Sequence, residues 1–129
     1  MRLLLDTHAF LWWVSDSPRM PKAPRGLVAD NANEVLVSAA IAWEIATKER
    51  LGKLPEFVGI SQAFLRLMTD HDFKQLGVTA AHALVAGGFQ QAHRDPFDRM
   101  LSAQAHLEGI PILSADTALH SFPVQIIWD

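Results

Sequence analysis

Four acids occupy positions where a carboxylate needs a reason. Asp6 ends the apolar run Leu3-Leu4-Leu5, Glu44 lies inside Ala42-Trp43-Glu44-Ile45-Ala46, Asp98 follows Asp95-Pro96-Phe97, and Asp116 follows Ile112-Leu113-Ser114-Ala115. An acid that terminates a buried strand is costly unless it is paired or metal-bound, so Asp6 is the strongest candidate. The apolar neighbours of Glu44 place it in a largely buried setting as well. Carboxylates gathered in one place raise one another's pKa, and such a cluster is stable only with cations in it. The chain has no cysteine, which excludes disulfides and thiolate zinc sites and leaves oxygen or imidazole as ligands. Hard oxygen ligands select Mg²⁺ or Mn²⁺.

The acids are useful only if the chain brings them together. Residues 2–5 read as a short buried strand and residues 7–14 as a packed helix stopped at Ser15-Asp16-Ser17-Pro18. A second helix is expected over 21–31, with Pro21 or Pro24 in its first turn. Residues 34–38 repeat the strand pattern, and Ser38 suits the N-cap of a helix over 39–51 closed by Gly52. An amphipathic helix over 60–71 and a short strand over 75–78 follow. Thr79 then caps a helix through Ala86, ended by Gly87-Gly88. The clearest helix runs over 96–108, with Asp95 at its N-cap, Pro96 at N1, Asp98 at N3 and Gly109 beyond its end. Strands over 110–113 and 124–128 complete the chain.

Strands alternate with helices and no Asn-Gly-type hairpin joins two strands, which argues for a parallel sheet with helices on both faces. In such sheets ligands bind outside the carboxyl ends of the strands. Asp6, Glu44 and Asp116 come just after strands or in the helices that follow them, and Asp98 joins them if its helix starts at that edge.

The stretches Leu3-Leu4-Leu5-Asp6-Thr7-His8, Ser38 to Leu54 around Trp43-Glu44-Ile45, Arg94-Asp95-Pro96-Phe97-Asp98-Arg99 and Ser114-Ala115-Asp116 resemble the PIN-domain nucleases, more narrowly the VapC-type toxins of toxin–antitoxin pairs. The resemblance runs the length of the chain in the family's order. It implies a single PIN-like α/β domain over residues 1–129, a three-layer α/β/α arrangement with a central parallel sheet of four to five strands. It also implies a Mg²⁺- or Mn²⁺-dependent endoribonuclease with Asp6, Glu44 and Asp98 as acidic core and Asp116 as a more distant or water-mediated fourth ligand. Thr7 and Ser114 match small hydroxyl positions that help hold water or metal. The last motif reads Ser-Ala-Asp where relatives often carry Thr and a basic residue before the acid, a departure that touches Ser114 and Asp116 only. Metal-activated water would attack phosphorus in line, leaving a 5′-phosphate and a 3′-hydroxyl. The partners implied are RNA, an antitoxin protein and a second copy in a homodimer. The same active site also suits an RNA-processing nuclease without an antitoxin, and the fold alone suits a non-enzymatic RNA-binding or assembly module. A haloacid-dehalogenase-type phosphatase also places Asp after its first strand, but needs a second Asp two positions on, where this chain has His8.

Other residues have simpler readings. Asp95 reads as a helix cap, and Asp116 equally as a cap for the segment before Phe122 or as a ligand. His8 and His93 read as packing or solvated residues. Trp12, Trp13, Trp43 and Trp128, with Phe10 and Phe97, read as core or subunit-interface packing before stacking platforms for bases. Lys48, Glu49, Arg50 and Lys53 form a wet charged stretch, from which Lys48 and Arg50, with Arg99, are candidates to track phosphates toward the acids. A formal charge of −3 is poor for binding nucleic acid by bulk electrostatics, so such a function must rest on local geometry. The 129 residues, half of them apolar, suit one core and contain no apolar run of the ~20 residues that span a bilayer. With Met1-Arg2 leading straight into the first strand, a cytoplasmic protein without membrane contact is the expectation.

Overall fold

The computed structural model describes all 129 residues. Its elements in chain order are β1 (Arg2–Leu5), α1 (Thr7–Val14), α2 (Lys22–Ala29), β2 (Glu34–Ser38), α3 (Ala39–Arg50), α4 (Ile60–Asp70), β3 (Lys74–Leu76), α5 (Ala80–Gly88), α6 (Pro96–Glu108), β4 (Ile112–Leu113) and β5 (Ile126–Ile127). Short 3₁₀ turns occupy Pro55–Phe57 and Thr117–Ser121. The five strands form one parallel sheet in the order β3-β2-β1-β4-β5. β1 is central: Leu5 is in register with Val37 of β2 on one side and Leu113 of β4 on the other. Successive strand residues point to opposite faces, yet Leu3, Leu4 and Leu5 are all fully buried, so helices cover the sheet on both sides.

The strand order creates the feature that matters for a site. From β1 the chain builds outward through β2 and β3, then returns to lay β4 and β5 on the opposite side of β1. The connections leaving β1 and β4 therefore diverge, opening a crevice at the carboxyl edge between them. Asp6 leaves β1 at that point, its amide bonded to the carbonyl of Leu113 at 3.1 Å, and Ser114 leaves β4 beside it.

Differences from the expected boundaries have local causes. β4 shrinks to two residues because Pro111 has no amide to give and the amide of Ile110 is spent on the carbonyl of Ala105 at the end of α6. α2 starts one residue later than Pro21, which serves as its N-cap, and ends where Asp30 turns the chain by accepting the amide of Ala32. α5 runs on through Gly87 and Gly88, since an exposed glycine in a last turn costs only about 1 kcal/mol relative to alanine. β3 lies one residue upstream of the expected 75–78, at the edge of the sheet where one neighbour sets the register. β5 keeps only Ile126 and Ile127, as the amide of Val124 turns back onto the carbonyl of Phe122.

Arg99, a candidate to track phosphates, has its guanidinium engaged with backbone. Its guanidinium donates to the carbonyls of Ala86, Phe89, Gln91 and His93 at 2.7–2.9 Å, tying the end of α5 to the loop that leads into α6. With four of its five N–H donors committed to backbone carbonyls, it is a structural clamp. Arg99→Met leaves those carbonyls unpaired and is expected to lower stability by about 2–3 kcal/mol in urea unfolding, with faster amide exchange across residues 89–93.

Candidate metal centre

The crevice beside β1 and β4 is a cleft of about 100 Å³ lined by Asp6, Thr7, His8, Glu44, Lys48, Asp95, Asp98 and Asp116. All four acids singled out in the sequence meet there, together with Asp95. Each arrives by a different local device.

Asp6 is the N-cap of α1, with one oxygen accepting the amide of Ala9 at 2.8 Å. Only 7% of its surface is exposed. Burial, helped by the nearby charges of Asp98 and Glu44, pushes its pKa up to about 6, against the opposing hydrogen bonds from Ser114 and Ala9. Ser114, itself buried, also accepts the amide of Asp116 at 2.9 Å, so one hydroxyl couples the exits of β1 and β4.

Glu44 sits in the second turn of α3, on the face that carries Ile41 and Ile45 into the core, and is 4% exposed. Its two oxygens are both engaged, Oε1 by the hydroxyl of Thr7 and Oε2 by the ammonium of Lys48. Lys48 lies one helical turn beyond Glu44, the spacing at which helix side chains meet. Desolvation works against its charge, but Glu44, Asp95 and Asp98 outweigh this and raise its pKa, so it stays protonated.

Asp98 occupies the first turn of α6, where the side chain of Asp95 caps the amides of Phe97 and Asp98. Burial and the charges of Asp95 and Asp116 raise its pKa, while a 2.8 Å contact with Nε2 of His93 opposes that rise. Asp116 is the N-cap of the turn Thr117–Ser121 and accepts the amide of Ala118 at 2.9 Å. The capping role is therefore real, and a ligand role has to use its other oxygen.

The donor set suits a hard divalent cation: five carboxylates, the hydroxyl of Thr7 and no sulfur. As the side chains stand, no three of them converge tightly enough to hold one ion, and Asp6, Glu44, Asp98 and Asp116 each accept a hydrogen bond or ion pair from a neighbour. Binding a cation means exchanging some of those neighbours.

The sequence matches the PIN domain family over residues 3–124. This chain belongs to the PIN-domain family. A segment of 31 residues is 61% identical to "Ribonuclease VapC16" of Mycobacterium tuberculosis (strain ATCC 25618 / H37Rv), a match that spans 24% of this chain and 22% of that protein. Among solved structures, VapBC2 from Rickettsia felis, bound to a DNA fragment from their promoter, superposes with a TM-score of 0.73 at 16% identity over 100% of both chains. FitAcB from Neisseria gonorrhoeae gives 0.61 at 17% identity, over 97% of this chain and 96% of that one. A domain of a functionally unknown protein from Methanocaldococcus jannaschii gives 0.59 at 13%, over 99% and 90%. The solved structures establish likeness of fold.

Some contributors to this PIN-domain cleft escaped the sequence reading. His93 is not a free loop residue but the partner of Asp98, and the Asp95-Pro96 cap that folds the chain into α6 was the available signal for it. His8 lines the mouth of the cleft, its pKa lowered by burial and by the Lys48 ammonium. Arg50 is exposed and lines a separate shallow groove with Glu49 and Val58, so it does not join the acids. It stands two residues past Lys48, roughly 200° around the helix.

The raised pKa of Asp6 has a signed consequence for the PIN domain freed of metal. An unfolded aspartate deprotonates near 3.8 and folded Asp6 near 6, so its contribution to stability is full below 3.8 and is lost as pH rises through 6. In EDTA, thermal or urea unfolding is expected to show up to about 3 kcal/mol lost from this group between pH 4 and 7. Asp6→Asn is expected to remove that loss and to exceed the wild type in stability at pH 7.

Proposed function

We propose that this chain is a divalent-metal-dependent endoribonuclease of the VapC type, acting as the toxin of a toxin–antitoxin pair. The observation that carries the reading is the convergence of Asp6, Glu44, Asp98 and Asp116, from distant parts of a PIN domain, on one cleft at the β1–β4 crevice. The segment matching Ribonuclease VapC16 supports RNA as substrate.

Asp6, Glu44 and Asp98 would hold Mg²⁺ or Mn²⁺, with Asp116 contributing its free oxygen. Bound there, the cation supplies a water acidic enough to attack phosphorus and positive charge against the leaving 3′ oxygen. The chain's own groups do the positioning. Thr7 fixes the rotamer of Glu44, Ser114 that of Asp6, and His93 that of Asp98, so the acids are held by a surrounding set of buried or half-buried donors. A protonated Asp6 donates poorly to a cation, and its pKa near 6 makes cleavage rise through that pH where metal is scarce.

A homodimer accounts for the apolar surface away from the acids. Trp43, Val78 and Leu84 are 63%, 42% and 77% exposed, and Trp43 and Val78 border an apolar groove of about 440 Å³ between α3, α5 and α6. Exposed apolar patches of this kind mark protein interfaces. The fold shared with VapBC2, which was solved bound to a DNA fragment from their promoter, supports pairing of this chain with an antitoxin, and an antitoxin seated over the cleft would mask the acids. No helix of the chain is long and apolar enough to cross a membrane.

Cleavage of a mixed RNA substrate, followed by mapping of new 5′ ends, tests the proposal. The wild type is expected to cut with Mg²⁺ or Mn²⁺ and to stop in EDTA, with Asp6→Asn, Glu44→Gln and Asp98→Asn each at least about 100-fold slower. Asp116→Asn is expected to be affected less. Undiminished cutting in excess EDTA, or full activity in Asp6→Asn, sinks it.

A further inference from the structure

Both oxygens of Glu44 are taken, and their two partners differ in how freely they can leave. Thr7 is buried at the first position of α1, with 5% of its surface exposed, so its hydroxyl has little solvent to turn to. Lys48 hangs on a four-carbon tether with 31% of its side chain exposed, lining the same cleft as Asp95 and Asp98. Of the charged groups lining the cleft, Lys48 is the one full cation in neutral solution, facing five carboxylates.

We infer that Lys48 is a tethered counter-cation: it neutralises Glu44 while the cleft lacks a metal and gives up that oxygen when a divalent ion binds, so ammonium and metal compete for Glu44. This rests on the metal-site reading above. The geometry gives the buried Glu44 carboxylate a counter-charge within a cleft of five acids, and it places that charge on the oxygen that an incoming ion would need. It also makes Lys48 a positioning residue rather than a fixed phosphate contact. Held by Glu44 it cannot reach substrate, and once released it stands at the rim with its charge free.

The competition predicts opposite effects of one substitution with and without metal. Lys48→Met is expected to lower the melting temperature in EDTA, because Glu44 is left buried without its cation, and to bind Mn²⁺ about three- to tenfold more tightly by isothermal titration calorimetry, as expected for loss of one partly exposed ion pair. Addition of Mn²⁺ should then close the gap in melting temperature. Lys48→Arg keeps the charge and is expected to behave close to the wild type. Lys53→Met removes a nearby charge that does not touch Glu44, and its Mn²⁺ affinity is expected to change less than about twofold. Wild type that binds Mn²⁺ through Asp6 while Lys48→Met binds it equally or more weakly overturns the counter-cation. Equal Mn²⁺ binding by wild type and Asp6→Asn overturns the metal centre itself, and this inference with it.

Discussion

Burial of several carboxylates side by side at the end of a buried strand is the constraint around which this molecule is organised. Loss of solvent disfavours their charged forms and neighbouring like charges add to it, and the pKa values of Asp6 and Asp98 are raised for those two reasons in that order. A chain selected for stability alone would place asparagine or leucine at such positions. Keeping acids there means the rest of the fold has to offset their cost, as functional sites commonly require.

The offset comes from two sources. One is the sheet: β1 is buried from Leu3 to Leu5 and held by β2 and β4, so the backbone around Asp6 cannot relax to expose the side chain. The other is a set of donors matched to the acids, drawn from hydroxyls, helix N-terminal amides, His93 and Lys48. Capping falls to acids of the same cleft: Asp6, Asp95 and Asp116 each spend a carboxylate oxygen on backbone amides, so α1, α6 and the turn after β4 begin where they do partly because an acid is there to begin them.

This arrangement separates the molecule into two kinds of surface. The acid cleft is small and lined by polar groups, whereas the groove between α3, α5 and α6 is larger and apolar, with Trp43 and Phe97 in edge contact at its wall. Trp43 and Glu44, adjacent in sequence, face these different surfaces, as do Phe97 and Asp98. A partner covering the groove would therefore sit next to the chemistry without entering it.

Element order and type could be read from the chain because they depend on local pattern. Leu3-Leu4-Leu5 ending in Asp6, Ser38 before an apolar helix, and Asp95-Pro96 before another are signals complete within a few residues. The acids worth attention could also be picked out, since burial next to apolar neighbours is visible in one dimension. Contacts within a turn, such as Lys48 with Glu44, follow from helix spacing, whereas tertiary structure alone decided which distant groups meet. That Thr7 reaches Glu44 across 37 residues, that His93 turns onto Asp98, that Arg99 faces carbonyls and that Arg50 faces away depend on the strand order and on rotations around helix axes. Short strands such as β4 and β5 were set the same way, by which neighbour holds the free amides. Local sequence specifies a residue's conformation and burial, whereas partners across a cleft are set by the packing of whole elements, and no single segment encodes that.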